Sequence, residues 1–145
     1  MTSEERVVVV ERSIAAPPAT VFAFFTSTEA WLQWQGVEGE IDARPGGVFR
    51  SNVRGDGFVS GRFLEVTPPS RVVFTWGWEG PNAPYPVPPG ASTVEVELSP
   101  EGSGTRLRLT HRIRGIDMEP LVRHGWELYT ARLAAVAEGR DPNSI

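Results

Sequence analysis

Proton transfer near neutral pH needs a group that titrates there, and this chain of 145 residues offers two histidines, His111 and His124, and no cysteine. All 14 basic residues are arginine. The absent thiol excludes disulfides, thiolate nucleophiles, iron–sulfur clusters and cysteine zinc sites. The absent lysine excludes Schiff-base chemistry, a Gly-Lys-Ser/Thr phosphate loop and a lysine general base. If His111 and His124 meet across a cavity they form an acid–base pair; the competing reading is two hydrogen-bonded structural histidines, so no catalytic residue is assigned. They stand 13 positions apart without a His-Glu-x-x-His or Asp-x-Asp signature, so neither a metal nor a cofactor is expected. No Gly-x-Ser-x-Gly elbow occurs, and Glu95 and Glu97 belong to the polar face of a strand rather than to a cleft.

Charge narrows the partners. A net charge of −4 and a pI near 5.2 have the wrong sign for a dedicated nucleic-acid binder. One basic stripe, Arg106, Arg108, Arg112 and Arg114, shares a strand face with Thr110. A turn at Pro100 to Gly104 that sets Glu97 opposite Arg106 also sets Glu95 opposite Arg108 and Thr93 opposite Thr110, leaving Arg112 and Arg114 for an interface such as a homodimer. Arg12 alternates with Val8, Val10 and Ile14 and so turns inward, where it needs a carboxylate or carbonyl partner; it anchors the short helices or contacts a ligand. The run Val7 to Val10 is too short for a signal-peptide core or a membrane span, which makes the cytoplasm the expected compartment.

These side chains must be positioned by strands, because 15 glycines and 13 prolines punctuate the chain at short intervals. Residues 6–14 are β-branched and read as a first strand. Pro17 and Pro18 open a short helix bearing Val21, Phe22, Phe24 and Phe25, and Ser27 and Thr28 cap a second that ends near Gly36. From Glu38 the apolar period becomes two, and turns at Pro45-Gly46-Gly47, Pro68-Pro69-Ser70 and Pro100 to Gly104 divide an antiparallel meander. Its apolar face collects Val72, Phe74, Trp76 and Trp78, then Val94, Val96 and Leu98, then Leu107, Leu109, His111 and Ile113. A last helix over 119–138, with Asp117 as N-cap and Pro120 in its first turn, carries Val122, Trp126, Tyr129, Leu133 and Val136 as a stripe. The expectation is an α+β fold: a curved antiparallel sheet of about seven strands wrapped around a long C-terminal helix, with two short helices after the first strand. It spans 1–145 as one domain, with its core at about 6–138 and a loose tail at 139–145.

Several stretches carry a family resemblance: Arg12-Ser13-Ile14-Ala15-Ala16-Pro17 leading into Val21-Phe22, Pro45-Gly46-Gly47-Val48-Phe49, Gly61 to Pro69, Val73-Phe74-Thr75-Trp76 and His124-Gly125-Trp126. With the element order, they resemble the helix-grip fold of the START-like (SRPBCC) superfamily. More narrowly, they resemble the bacterial family related to the C-terminal domain of the activator of the heat-shock-protein-90 ATPase. The resemblance implies a cavity between sheet and helix that takes an apolar or amphipathic small molecule, and a chaperone-interacting module as a weaker alternative. By facing, the candidate lining is Phe49, Trp76, Trp78, His111, His124, Trp126 and Tyr129, with Trp31 and Trp34 near the entrance; the competing reading makes these aromatics plain core. Gly80 to Gly90 holds five prolines in eleven residues, so it cannot be sheet; carrying Tyr85 and Val87, it covers the cavity mouth, offers an edge to a second subunit, or merely joins two strands. The second functional expectation is a cofactor-independent cyclase, aromatase or hydrolase using a cavity histidine.

Overall fold

The computed structural model describes residues 5–53, 55, 57–80, 87–114 and 119–144. Strand β1 (Glu5–Ile14) is followed by α1 (Pro18–Thr26) and α2 (Thr28–Trp31). Strands β2 (Glu38–Ile41), β3 (Val48–Asn52), β4 (Phe58–Thr67), β5 (Arg71–Trp78), β6 (Ser92–Glu101) and β7 (Gly104–Arg114) come next, then helix α3 (Glu119–Ala137) and a 3-10 turn at Pro142–Ser144. The curved sheet is antiparallel throughout, in the order β1-β7-β6-β5-β4-β3-β2, so the first strand closes onto the last. The expected alternation sets its inner face: Val8, Val10 and Ile14 of β1 and Leu107, Leu109, His111 and Ile113 of β7 are buried. Helix α3 lays Trp126, Thr130, Leu133 and Ala134 on that face. No helix among the described residues is long and apolar enough to cross a membrane.

Four expectations are corrected. The second helix ends at Trp31 rather than near Gly36, because the amides of Gln33 and Trp34 turn back to the carbonyls of Ala30 and Trp31, tightening the chain into successive turns. The β6–β7 hairpin turns on Gly102 and Ser103 alone, with Gly102 at φ +60°, so Glu97 lies opposite Arg108 and Glu95 opposite Thr110. Arg112, expected to be unpaired, instead donates to Glu95 at 2.6 Å and to Glu5 at 3.3 Å, since β1 supplies a second acidic neighbour. Arg12 does turn inward but reaches α3, donating to Thr130 Oγ1 and the Glu127 carbonyl at 3.1 Å each. Asp117 lies outside the described residues.

Candidate functional site

The gap between sheet and helix is mostly filled. Trp31, Trp34 and Phe49, expected near or in a cavity, are fully buried in an aromatic cluster with Phe25, Phe63 and Phe74. Their polar handles are used internally: Trp31 donates to Ser51 Oγ at 3.2 Å, and Trp34 to the Phe24 carbonyl at 2.9 Å. These three belong to the core.

Between sheet and helix the described residues leave a cavity of about 90 Å³ beside that cluster, where Trp76 stacks on Phe49 with ring centroids 5.5 Å apart. Trp76 and Trp78 of β5 and His111 and Ile113 of β7 form its floor, and Val122, Gly125, Trp126 and Tyr129 of α3 form its roof. Val53, Val87 and Gln35 complete the wall, and exposed Leu121 marks the side that reaches the surface. Val87 is delivered by a strap: Trp78 N–H donates to the Val87 carbonyl at 2.6 Å. The strap can lie that close because β5 carries glycine at position 77, where a Cβ would sit 2.0 Å from the Pro88 carbonyl oxygen. Tyr85 and the rest of 81–86 lie outside the described residues. Of the residues singled out in the sequence, Trp76, Trp78, His111, Trp126 and Tyr129 come together in this lining, whereas His124 is exposed and stands outside it. The pairing of His111 with His124 is therefore corrected: one helical step per residue carries His124 away from the face that bears Trp126.

His111 has no free ring nitrogen. Trp126 Nε1–H can only donate, and it lies 3.0 Å from His111 Nδ1, so Nδ1 accepts. Ser92 Oγ–H donates to the Trp76 carbonyl at 2.6 Å, which leaves its lone pair for His111 Nε2–H at 2.8 Å. The tautomer follows from the partners. Burial pushes the imidazole pKa down to about 3, and a proton on Nδ1 would face the indole N–H donor to donor. The ring stays neutral at ordinary pH and works as a rigid link between β6, β7 and α3.

Val53, Leu121, Gln35 and Gly125 line the cavity and went unseen in the sequence, and the last two are informative. Gln35 is 3% exposed, and its side-chain Oε1 has no hydrogen-bond partner among the described residues. It occupies the turn after α2, held by its N–H to the Trp31 carbonyl and by Gly36 at φ +100°, where a Cβ would meet Ser51 Oγ at 2.3 Å. A turn has no periodicity from which inward facing could be read. Gly125 sits inside α3, where glycine is worth roughly 1 kcal/mol less than alanine, yet a Cβ there would meet nothing within 4 Å. Its signal was a glycine in the interior of a helical stripe. Among the described residues no group of three or more His, Asp or Glu side chains is placed to hold a metal ion.

Residues 15–138 match the family model described as Activator of Hsp90 ATPase homolog 1-like protein. An AHSA1-like protein from Rhizobium etli, solved by NMR, is 46% identical, with 96% of this chain and 86% of that one covered and a TM-score of 0.71. Two more distant structures share the fold. The Aha1 dimer from Colwellia psychrerythraea is 17% identical over 92% of this chain and 96% of that one, with a TM-score of 0.76. DynU16, from the dynemicin biosynthetic locus, is 23% identical over 94% of this chain and 49% of that one, with a TM-score of 0.79. No curated protein sequence matches significantly.

Proposed function

The chain belongs to the family of Activator of Hsp90 ATPase homolog 1-like proteins, and from that premise we propose that it binds a small, mainly apolar molecule between β5, β7 and α3 without transforming it. The carrying observation is Gly125. A helix interior that forgoes a side chain beside a half-open aromatic cavity keeps space open where a larger residue would fill it. At about 90 Å³ the space suits a single small ring or one end of a longer molecule leaving past Leu121; drug-sized ligands need roughly 300–1,000 Å³.

Binding is favoured over catalysis by the hydrogen bonds of His111. Both ring nitrogens are engaged, and acid–base work would require breaking the link to Trp126 or to Ser92. The chaperone-interacting alternative draws on the family description and on no residue of the cavity. Thermal unfolding in the presence of single-ring aromatics tests the proposal: a ligand at a hundred times its Kd adds about 2.7 kcal/mol of stability. A rise in Tm that saturates is the expected result. Unchanged Tm with every single-ring compound contradicts binding, and turnover of a bound compound that disappears in His111→Ala would favour the enzyme.

A further inference from the structure

We infer that the cavity favours a single-ring organic cation, its positive charge spread over ring or methyl carbons, held against the rings of Trp76, Trp78, Trp126 and Tyr129; this rests on the binding role proposed above. The carrying observation is which aromatics the fold sends where. Phenylalanine goes to the core, where Phe25 and Phe49 flank Trp31 and Phe49, Phe63 and Phe74 pack together, and none of the seven phenylalanines lines the cavity. The cavity takes three indoles and a phenol, from β5 and α3. A neutral apolar guest is held by burial, which phenylalanine or leucine supplies as well. A cation is held by the negative face of the ring, and that face is strongest on indole.

The rest of the wall leaves those faces unopposed. Trp126 Nε1–H is committed to His111 Nδ1 at 3.0 Å, and Trp126 meets Trp76 at 54° with centroids 5.0 Å apart, inclined so that neither ring covers the whole face of the other. His111 accepts at Nδ1 and donates at Nε2 to Ser92, so it carries no charge to repel a cation. No arginine is among the described lining residues. Residues 81–86 and 115–118 lie outside the described residues, and their sequence holds no basic residue and a single acid, Asp117; the one other basic side chain outside them, Arg54, has Asp56 two positions on. The dipole of α3 favours anions only within its first turn, which holds Glu119, whereas Gly125, Trp126 and Tyr129 lie about one to two turns further along. A quaternary nitrogen brings no N–H that the wall would have to pair.

N-methylpyridinium and toluene share one shape and differ in charge. Each is titrated into the full chain by NMR, following the indole N–H resonances of Trp76, Trp78 and Trp126. N-methylpyridinium is expected to bind roughly tenfold more tightly than toluene. A chain made with 5-fluorotryptophan keeps every ring and weakens its negative face; there the cation loses several-fold in affinity while toluene binds as before. Trp78→Leu keeps an apolar side chain without the ring and narrows the preference in the same way. Equal affinity of the unaltered chain for the two compounds, tighter binding of toluene, or a cation preference undiminished by fluorination or by Trp78→Leu overturns the charge selection and leaves cavity binding standing. Silence of all three indoles with both compounds overturns cavity binding as well. Because the unaltered and fluorinated chains decide the matter between them, the inference stays testable even if Trp78→Leu does not fold.

Discussion

His111 shows how a titratable residue can be structural because of its partners. Its pKa of about 3 in the folded chain lies below the ordinary 6.5, so between those values the unfolded chain binds a proton that the folded chain does not. Stability from this residue is fully present above about pH 6.5 and falls as the pH drops, by up to about 1.4 kcal/mol per unit. Glu95, held low by Arg112 and then Arg71, and Glu79, held low by Arg50, add their losses only as the pH falls through the ordinary carboxylate value of 4.5 and below. Urea unfolding between about pH 6.5 and 5.5, a unit above the ordinary carboxylate value of 4.5, therefore separates the histidine from these carboxylates. In His111→Leu the slope in that window vanishes, and stability at pH 7 drops by about 1–3 kcal/mol because the Trp126 indole N–H loses its acceptor. A slope that survives the substitution would contradict the assigned hydrogen bonds. The inward facing of His111 was legible from strand alternation; its commitment to Trp126 was not, since nothing in the sequence pairs position 111 with 126.

At the scale of elements, the strap after β5 is the piece that most directly shapes the cavity. Gly77→Ala places a methyl group into the Pro88 backbone, which must move, and Val87 moves with it. We expect a loss of about 1–3 kcal/mol by chemical denaturation, together with shifted Trp76 and Trp78 resonances. Unchanged stability and spectra would mean that the strap does not press on β5. The hairpin between β6 and β7 shows where strand reading reaches its limit. Period-two alternation fixed which face Leu107 and Leu109 take, but a slip of two residues keeps every side chain on its face, so the pattern could not choose between Arg106 and Arg108 as the partner of Glu97. The choice belongs to Gly102, whose φ of +60° allows the two-residue turn.

The molecule as a whole is built on an aromatic core with a small gap beside it, between sheet and helix. The order of elements, the buried faces and the grip of α3 were readable because each rests on periodicity or on proline and glycine punctuation. The division of the aromatics was not readable: Trp31, Trp34 and Phe49 are buried like Trp76 and Trp126, and only packing in three dimensions separates those that fill the core from those that border the gap. Gly125 is the residue on which the function of that gap turns. The most direct measurement compares phenol binding by the unaltered chain and by Gly125→Leu, using the Trp76 and Trp126 indole N–H resonances and thermal unfolding together. Binding in the unaltered chain, and its loss in a Gly125→Leu protein at least as stable without ligand, is the predicted result, because leucine restores helix propensity and fills the space. A Gly125→Leu protein that still binds phenol with the same affinity and the same indole shifts would contradict a binding site in this cavity.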